Sequence, residues 1–175
     1  MAQTSRPWST TGTGDGILTG YTADQWATSW RQMLRAHSAD RGVLVGYNNN
    51  LLVSNPAGST IRVPTGAAIV HGVWYENTAQ ADYTPGDGTY PAVPTDNRIH
   101  RVVLRKNWTA QTVRIAFISG TDAVAPTTPS LTQSDGVTWE IPLAQFQISS
   151  AGAISGFTDQ RVNVGETLVF IGDVT

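Results

Sequence analysis

His37, His71 and His100 are the only histidines, and no two stand in an H-x-x-x-H spacing that would aim both imidazoles at one metal ion. There are no cysteines, which removes thiolate nucleophiles, disulfides and cysteine-based zinc sites together. Gly12-Thr13-Gly14-Asp15-Gly16 has the look of part of a phosphate-binding turn, but it follows no strand and lacks the lysine of a P-loop. No G-x-S-x-G elbow offers a serine nucleophile. Glycoside hydrolysis needs two carboxyl groups facing each other across the scissile bond. Asp82, Asp87, Asp96, Asp122, Asp135, Glu140 and Asp159 fall mostly in turn-like segments, where Asp binds its own backbone, and no spacing selects a pair. The expectation is a chain with no catalytic residues, no cofactor and no metal, not an enzyme. What remains is binding. Trp74, Tyr75, Tyr90 and Trp108 are candidates for stacking on sugar rings, the alternative for each being core or loop packing. Asn107-Trp108-Thr109 matches a glycosylation sequon, read here as part of a hairpin loop.

The bulk composition agrees with a surface-acting protein. Charged residues make up 14% of the 175, against about 25% in typical domains, so hydroxyls and amides must supply the polar surface. A net charge of −2 gives no electrostatic reason to expect nucleic acid as a partner. No apolar run approaches the roughly 18–20 residues of a membrane helix, and Met1 to Trp8 lacks the apolar core of a signal peptide. These features predict a protein made in the cytoplasm, without membrane insertion.

The elements that position these residues are mostly strands. Residues 1–20, rich in Thr, Gly and Ser around Trp8, Ile17 and Leu18, read as an extended arm. A helix is expected over about 22–37. Thr22 and Gln25 form a capping box and Tyr21 with Trp26 a staple, and Trp26, Trp30, Met33 and Leu34 make one apolar stripe for packing on a sheet. From Gly42 the period changes. Val43–Val45 and Leu51–Val53 flank a hairpin-like loop, and Ile61 and Val63 alternate. Ala67 to Tyr75 reads as a strand with little solvent on either face, broken by Gly72. Residues 101–105 and 112–119 form the clearest hairpin, with Val113, Ile115 and Phe117 facing one way. Prolines make loops of 84–97 and 121–133. In Trp139 to Ile148 the apolar phase slips near Pro142, which predicts an edge strand or a bulge. Leu168-Val169-Phe170-Ile171 is an apolar tail in want of a partner. The sum is a mostly β, sandwich-like or jelly-roll-like single domain over 21–175, preceded by the arm.

Several ordered features then resemble a known family. They run from Gly42-Val43 through Leu51-Leu52-Val53 to the segment Arg62 to Tyr75 with Gly66, Ala67 and Gly72. After them come Asn97-Arg98-Ile99-His100-Arg101-Val102-Val103-Leu104-Arg105 and Gly120-Thr121-Asp122-Ala123 with Pro126, Pro129, Leu131 and Thr132. Glu140 to Ile148 and Asp159-Gln160-Arg161 complete the series. Together, over 42–164, they resemble the amino-terminal modules of baseplate and tail-fibre proteins of tailed bacteriophages and prophages. His100 stands where that pattern usually has Asp. The resemblance implies a virion structural protein, an adaptor in tail tip, baseplate or fibre or a host-attachment component, homo-oligomeric with a trimer favoured. It further implies contacts with other virion proteins and a place in the virion. Trp8, Ile17, Leu18, Leu168 and Phe170 are the candidate inter-subunit contacts, and Arg98, Arg101 and Asp159 a candidate polar clasp. Such modules usually precede a shaft, and none follows Arg161 here. A capsid decoration or head-fibre protein and a carbohydrate-binding attachment module for a host-surface glycan are therefore the alternatives.

Overall fold

Val70 and Val73 pair across a two-residue turn, His71-Gly72, with φ of 49° and 79°. Positive φ at both central residues is the type I′ geometry that matches the twist of a hairpin. The apolar run from Ala67 to Tyr75 is therefore not one strand interrupted at Gly72 but two, folded back on each other. In the computed structural model, which describes residues 28, 29, 31 and 41–164, these two strands belong to a mostly β architecture. The strands are β1 (Gly42–Leu44), β2 (Ile61–Val63), β3 (Gly66–Val70), β4 (Val73–Asn77), β5 (Ala81–Tyr83) and β6 (Arg98–Asn107). They continue as β7 (Thr112–Ser119), β8 (Gln133–Ser134), β9 (Thr138–Ile148), β10 (Ile154–Asp159) and β11 (Asn163–Val164). One sheet has the order β11-β1-β3-β4 and a second β10-β9-β6-β7 with β8 beside β9, while β2 and β5 form a ribbon. Val43, Ala68 and Val70 of the first sheet, Ile61 and Val63 of the ribbon, and Val102, Leu104, Leu143 and Phe146 of the second share one core.

The expected hairpin between Val43–Val45 and Leu51–Val53 does not form. β1 pairs instead with β3, antiparallel, and with β11, parallel. Asn48, Asn50 and Leu51 all have positive φ, so the chain coils between the two apolar runs rather than folding flat. Leu51 and Val53 still reach the core, at 0% and 4% exposure, without belonging to a strand.

β6, β7 and β9 follow the sequence reading more closely. Val113 and Phe117 are buried along β7 and Ile115 packs beside them. In β9 the register opposite β6 jumps between Val102↔Ala144 and Val103↔Pro142, which makes Leu143 the extra residue of a bulge. Burial therefore switches from Ile141 and Leu143 to Ala144, Phe146 and Ile148, the slip visible in the sequence. β9 is nonetheless an interior strand, flanked by β6 and β10, so of the two expectations at Pro142 the bulge holds and the edge does not.

From the loop 84–97 Tyr90 dives into the core, where its ring stacks on Phe117 at 4.6 Å and meets Phe146 and His100 edge-on. Asp87 organises the descent by accepting bonds from the backbone N–H groups of Thr84, Thr89 and Tyr90. His100 is fully buried, with Nδ1 3.0 Å from the Ser119 hydroxyl. Burial, reinforced by the nearby Arg98 guanidinium, lowers its pKa to about 4. The folded state thus holds this imidazole neutral, whereas the unfolded chain protonates it near pH 6.5. Stability is whole above pH 6.5 and is expected to fall by about 2–3 kcal/mol as pH drops toward 4. Urea titrations at pH 7 and 4.5 check this: His100→Leu should flatten that part of the profile, and an unchanged slope would contradict it.

Arg98, Arg101 and Asp159 form no common clasp. Arg98 pairs with Asp122 and, with help from the Thr95 backbone, holds that carboxyl well below its usual range. Arg101 donates to the Pro129 carbonyl. Asp159 pairs with Arg161, whose Nη1 also donates to the Asn50 carbonyl at 2.6 Å and so ties the stretch before β11 to the coil after β1. Arg98 and Arg101 share β6 and Asp159 ends β10, and each meets a nearer partner.

Candidate functional site

The type I′ turn sets His71 at the end of the first sheet, where it meets residues from the β6–β7 loop and the β8–β9 turn. Its ring stacks on Trp139, centroids 4.2 Å apart, and meets Trp108 edge-on at 5.3 Å. Lys106, buried at the end of β6, lays its ammonium 3.9 Å over the Trp108 ring and donates to the His71 carbonyl at 3.2 Å. Such a cation over an indole, partly desolvated, contributes roughly 1–2 kcal/mol. Arg31 lies 3.3 Å from His71 Nδ1 and 3.7 Å from Asp135, and the Arg41 guanidinium lies over Trp139. Beside Trp108 a pocket of about 110 Å³ is walled by Val73, Lys106, Gln111 and Val113.

Cations and aromatic rings are concentrated at this end of the first sheet. Three cations meet three aromatic rings and one carboxylate, and two of the cations, Arg31 and Arg41, come from the stretch ahead of β1. Arg31 belongs to the expected helix, and Thr28, Ser29 and Arg31 have helical backbone; the rest of 22–37 lies outside the described residues. So do Trp8, Ile17, Leu18, Leu168 and Phe170, and with them the arm and the tail. Among the described residues no group of three or more His, Asp or Glu side chains is placed to hold a metal ion.

The four aromatic candidates separate sharply. Tyr90 has no exposed surface and serves the core, so it is not a stacking platform. Its ring lies inside because the Asp87 turn directs it there. Tyr75 points inward with Val73 against the core, and burial pushes its phenol up to about 12. Trp108 is half-buried and engaged by Lys106 and His71. Trp74 is different: it is 53% exposed on the outer face of β4. Two residues on, Glu76 shares that face by the period of a strand. Tyr47, from the coil after β1, completes the group, its ring 6.4 Å from Trp74 at 77° and its hydroxyl donating to Glu76 Oε1 at 2.6 Å. Strand alternation alone could have joined Glu76 to Trp74. Tyr47 carried no such signal, since only the coil through Asn48 and Asn50 delivers it.

No family model, no curated protein and no solved structure matches this chain.

Proposed function

We propose that this chain is a structural protein of a tailed-phage virion, an adaptor in tail tip, baseplate or fibre that acts through contacts with copies of itself and with neighbouring virion proteins. One observation carries the reading: β1 and β11 lie side by side and parallel. The chain therefore runs into the domain beside the His71 turn and, leaving β11, heads toward the opposite end of the same sheet, where Gly66 pairs with Asn77. An in-line adaptor needs this arrangement, with one end of the module toward each neighbour.

The residues of the ordered motif series support the reading through what they do. A Cβ on Gly42 would stand 2.5 Å from the Val162 carbonyl, and one on Gly120 2.8 Å from the Thr127 carbonyl. Asp122 ties its crossing to Arg98 of β6, Glu140 of β9 holds the crossing at Thr132, and Arg161 joins the stretch before β11 to the coil at Asn50. Their work is architectural, which leaves the surface and the two ends for function. Immunogold labelling of tailed particles made from the genome that encodes this chain tests the proposal. Gold at the tail or baseplate supports it, gold on the head favours a decoration protein, and unlabelled particles refute it.

A further inference from the structure

We propose that Trp74, Tyr47 and Glu76 form a binding subsite for a pyranose ring of an oligosaccharide, a reading that goes beyond the virion role and stands without it. The indole is 53% exposed, and among the described residues Tyr47 supplies the one aromatic ring it meets. A large aromatic surface left in water on a rigid strand marks a place of contact. Its surroundings name the kind of contact. Tyr47 stands nearly perpendicular to it, making a two-walled aromatic corner. The Tyr47 hydroxyl fixes one oxygen of Glu76, which leaves the other oxygen of a pre-oriented carboxylate to accept from a ligand. The coil beside Tyr47 adds the exposed amides of Asn48 and Asn49.

A pyranose has the matching pair of surfaces, an apolar C–H face for the indole and a rim of hydroxyls for a carboxylate and amides. An apolar protein surface would instead leave the Glu76 carboxylate facing it unpaired, at a desolvation cost. Because Trp74 and Glu76 sit on β4 and not on a loop, the site is largely preformed, as small-ligand sites generally are.

The test is an NMR titration of the full chain with chitotetraose, cellotetraose and maltotetraose, read at the tryptophan indole N–H signals. With so few contacts a Kd on the order of 1 mM is expected for at least one of these sugars. Trp74→Ala should weaken binding at least about tenfold, and Glu76→Gln or Tyr47→Phe about threefold, since each removes one polar part of the site. Trp74 is exposed, so the remaining spectrum of each variant shows directly that the fold is kept. Two results would overturn the proposal: no indole shift with any of the three sugars up to about 20 mM, or binding that survives Trp74→Ala. Loss of self-association in Trp74→Ala, with no sugar bound by the parent chain, also overturns it and assigns this face to a contact between copies. Gold labelling reads the virion role independently, so either proposal can fail alone.

Discussion

Gly66→Ala is expected to lower unfolding free energy by about 3 kcal/mol or more, read as a shift in the urea midpoint. A methyl group there would stand 2.5 Å from the Leu51 backbone nitrogen and 3.1 Å from the Asn50 carbonyl carbon. Neither is the movable end of a side chain. Leu51 is fully buried, its N–H donates to the Thr65 carbonyl, and Arg161 holds the Asn50 carbonyl from the other side. The coil therefore cannot step back without opening the core or breaking that tie. Gly136→Ala is the matched control. It also has a positive φ, 77°, but nothing lies within 4 Å of the added methyl, so only the backbone cost of about 1 kcal/mol applies. Equal losses at the two positions would show that the coil does not press on Gly66.

Glu140→Ala is the second large effect, about 2–4 kcal/mol. The carboxylate is almost wholly buried in β9, accepting from the Thr132 backbone N–H and from Arg105 Nε, each at 2.6 Å. The Thr132 carbonyl in turn accepts from the Glu140 N–H, so one residue closes both sides of the crossing onto the sheet. Truncation leaves the part-buried Thr132 N–H without its acceptor, whereas Arg105, partly exposed, can turn to water. Glu140→Gln keeps an acceptor for Thr132 and should cost about half as much. Hydrogen exchange at the Thr132 amide separates the two variants: protection lost in Ala and kept in Gln is the expected pattern, and unchanged protection in both would contradict this role.

Glu140 also shows where sequence reading reaches its limit. Its place in a strand was legible, because Trp139, Ile141 and Leu143 alternate around it, and so was the slip that proved to be the Leu143 bulge. Its burial was not, since an acidic residue in an alternating strand reads as solvent-facing until its partners are known. Those partners, Thr132 and Arg105, come from a proline-rich crossing and a neighbouring strand. The His71-Gly72 turn was written in the residues but hidden by hydrophobic residues on both sides, which mimic one long buried strand. Tyr90, placed among surface aromatics by its proline-rich loop, belongs to the core because three backbone bonds to Asp87 steer it inward. Trp74 was legible as an aromatic candidate. Its company was not, because Tyr47 arrives through residues with positive φ that follow no period.

Self-association is how the adaptor reading proposes that the chain acts, and native mass by light scattering tests it most directly. It should be measured on the full chain and on a form lacking residues 1–20. The expected result is about three times the 18.7 kDa of one chain for the full protein, falling to a single chain once the arm is removed. A monomer in both forms would contradict self-association as the basis of function.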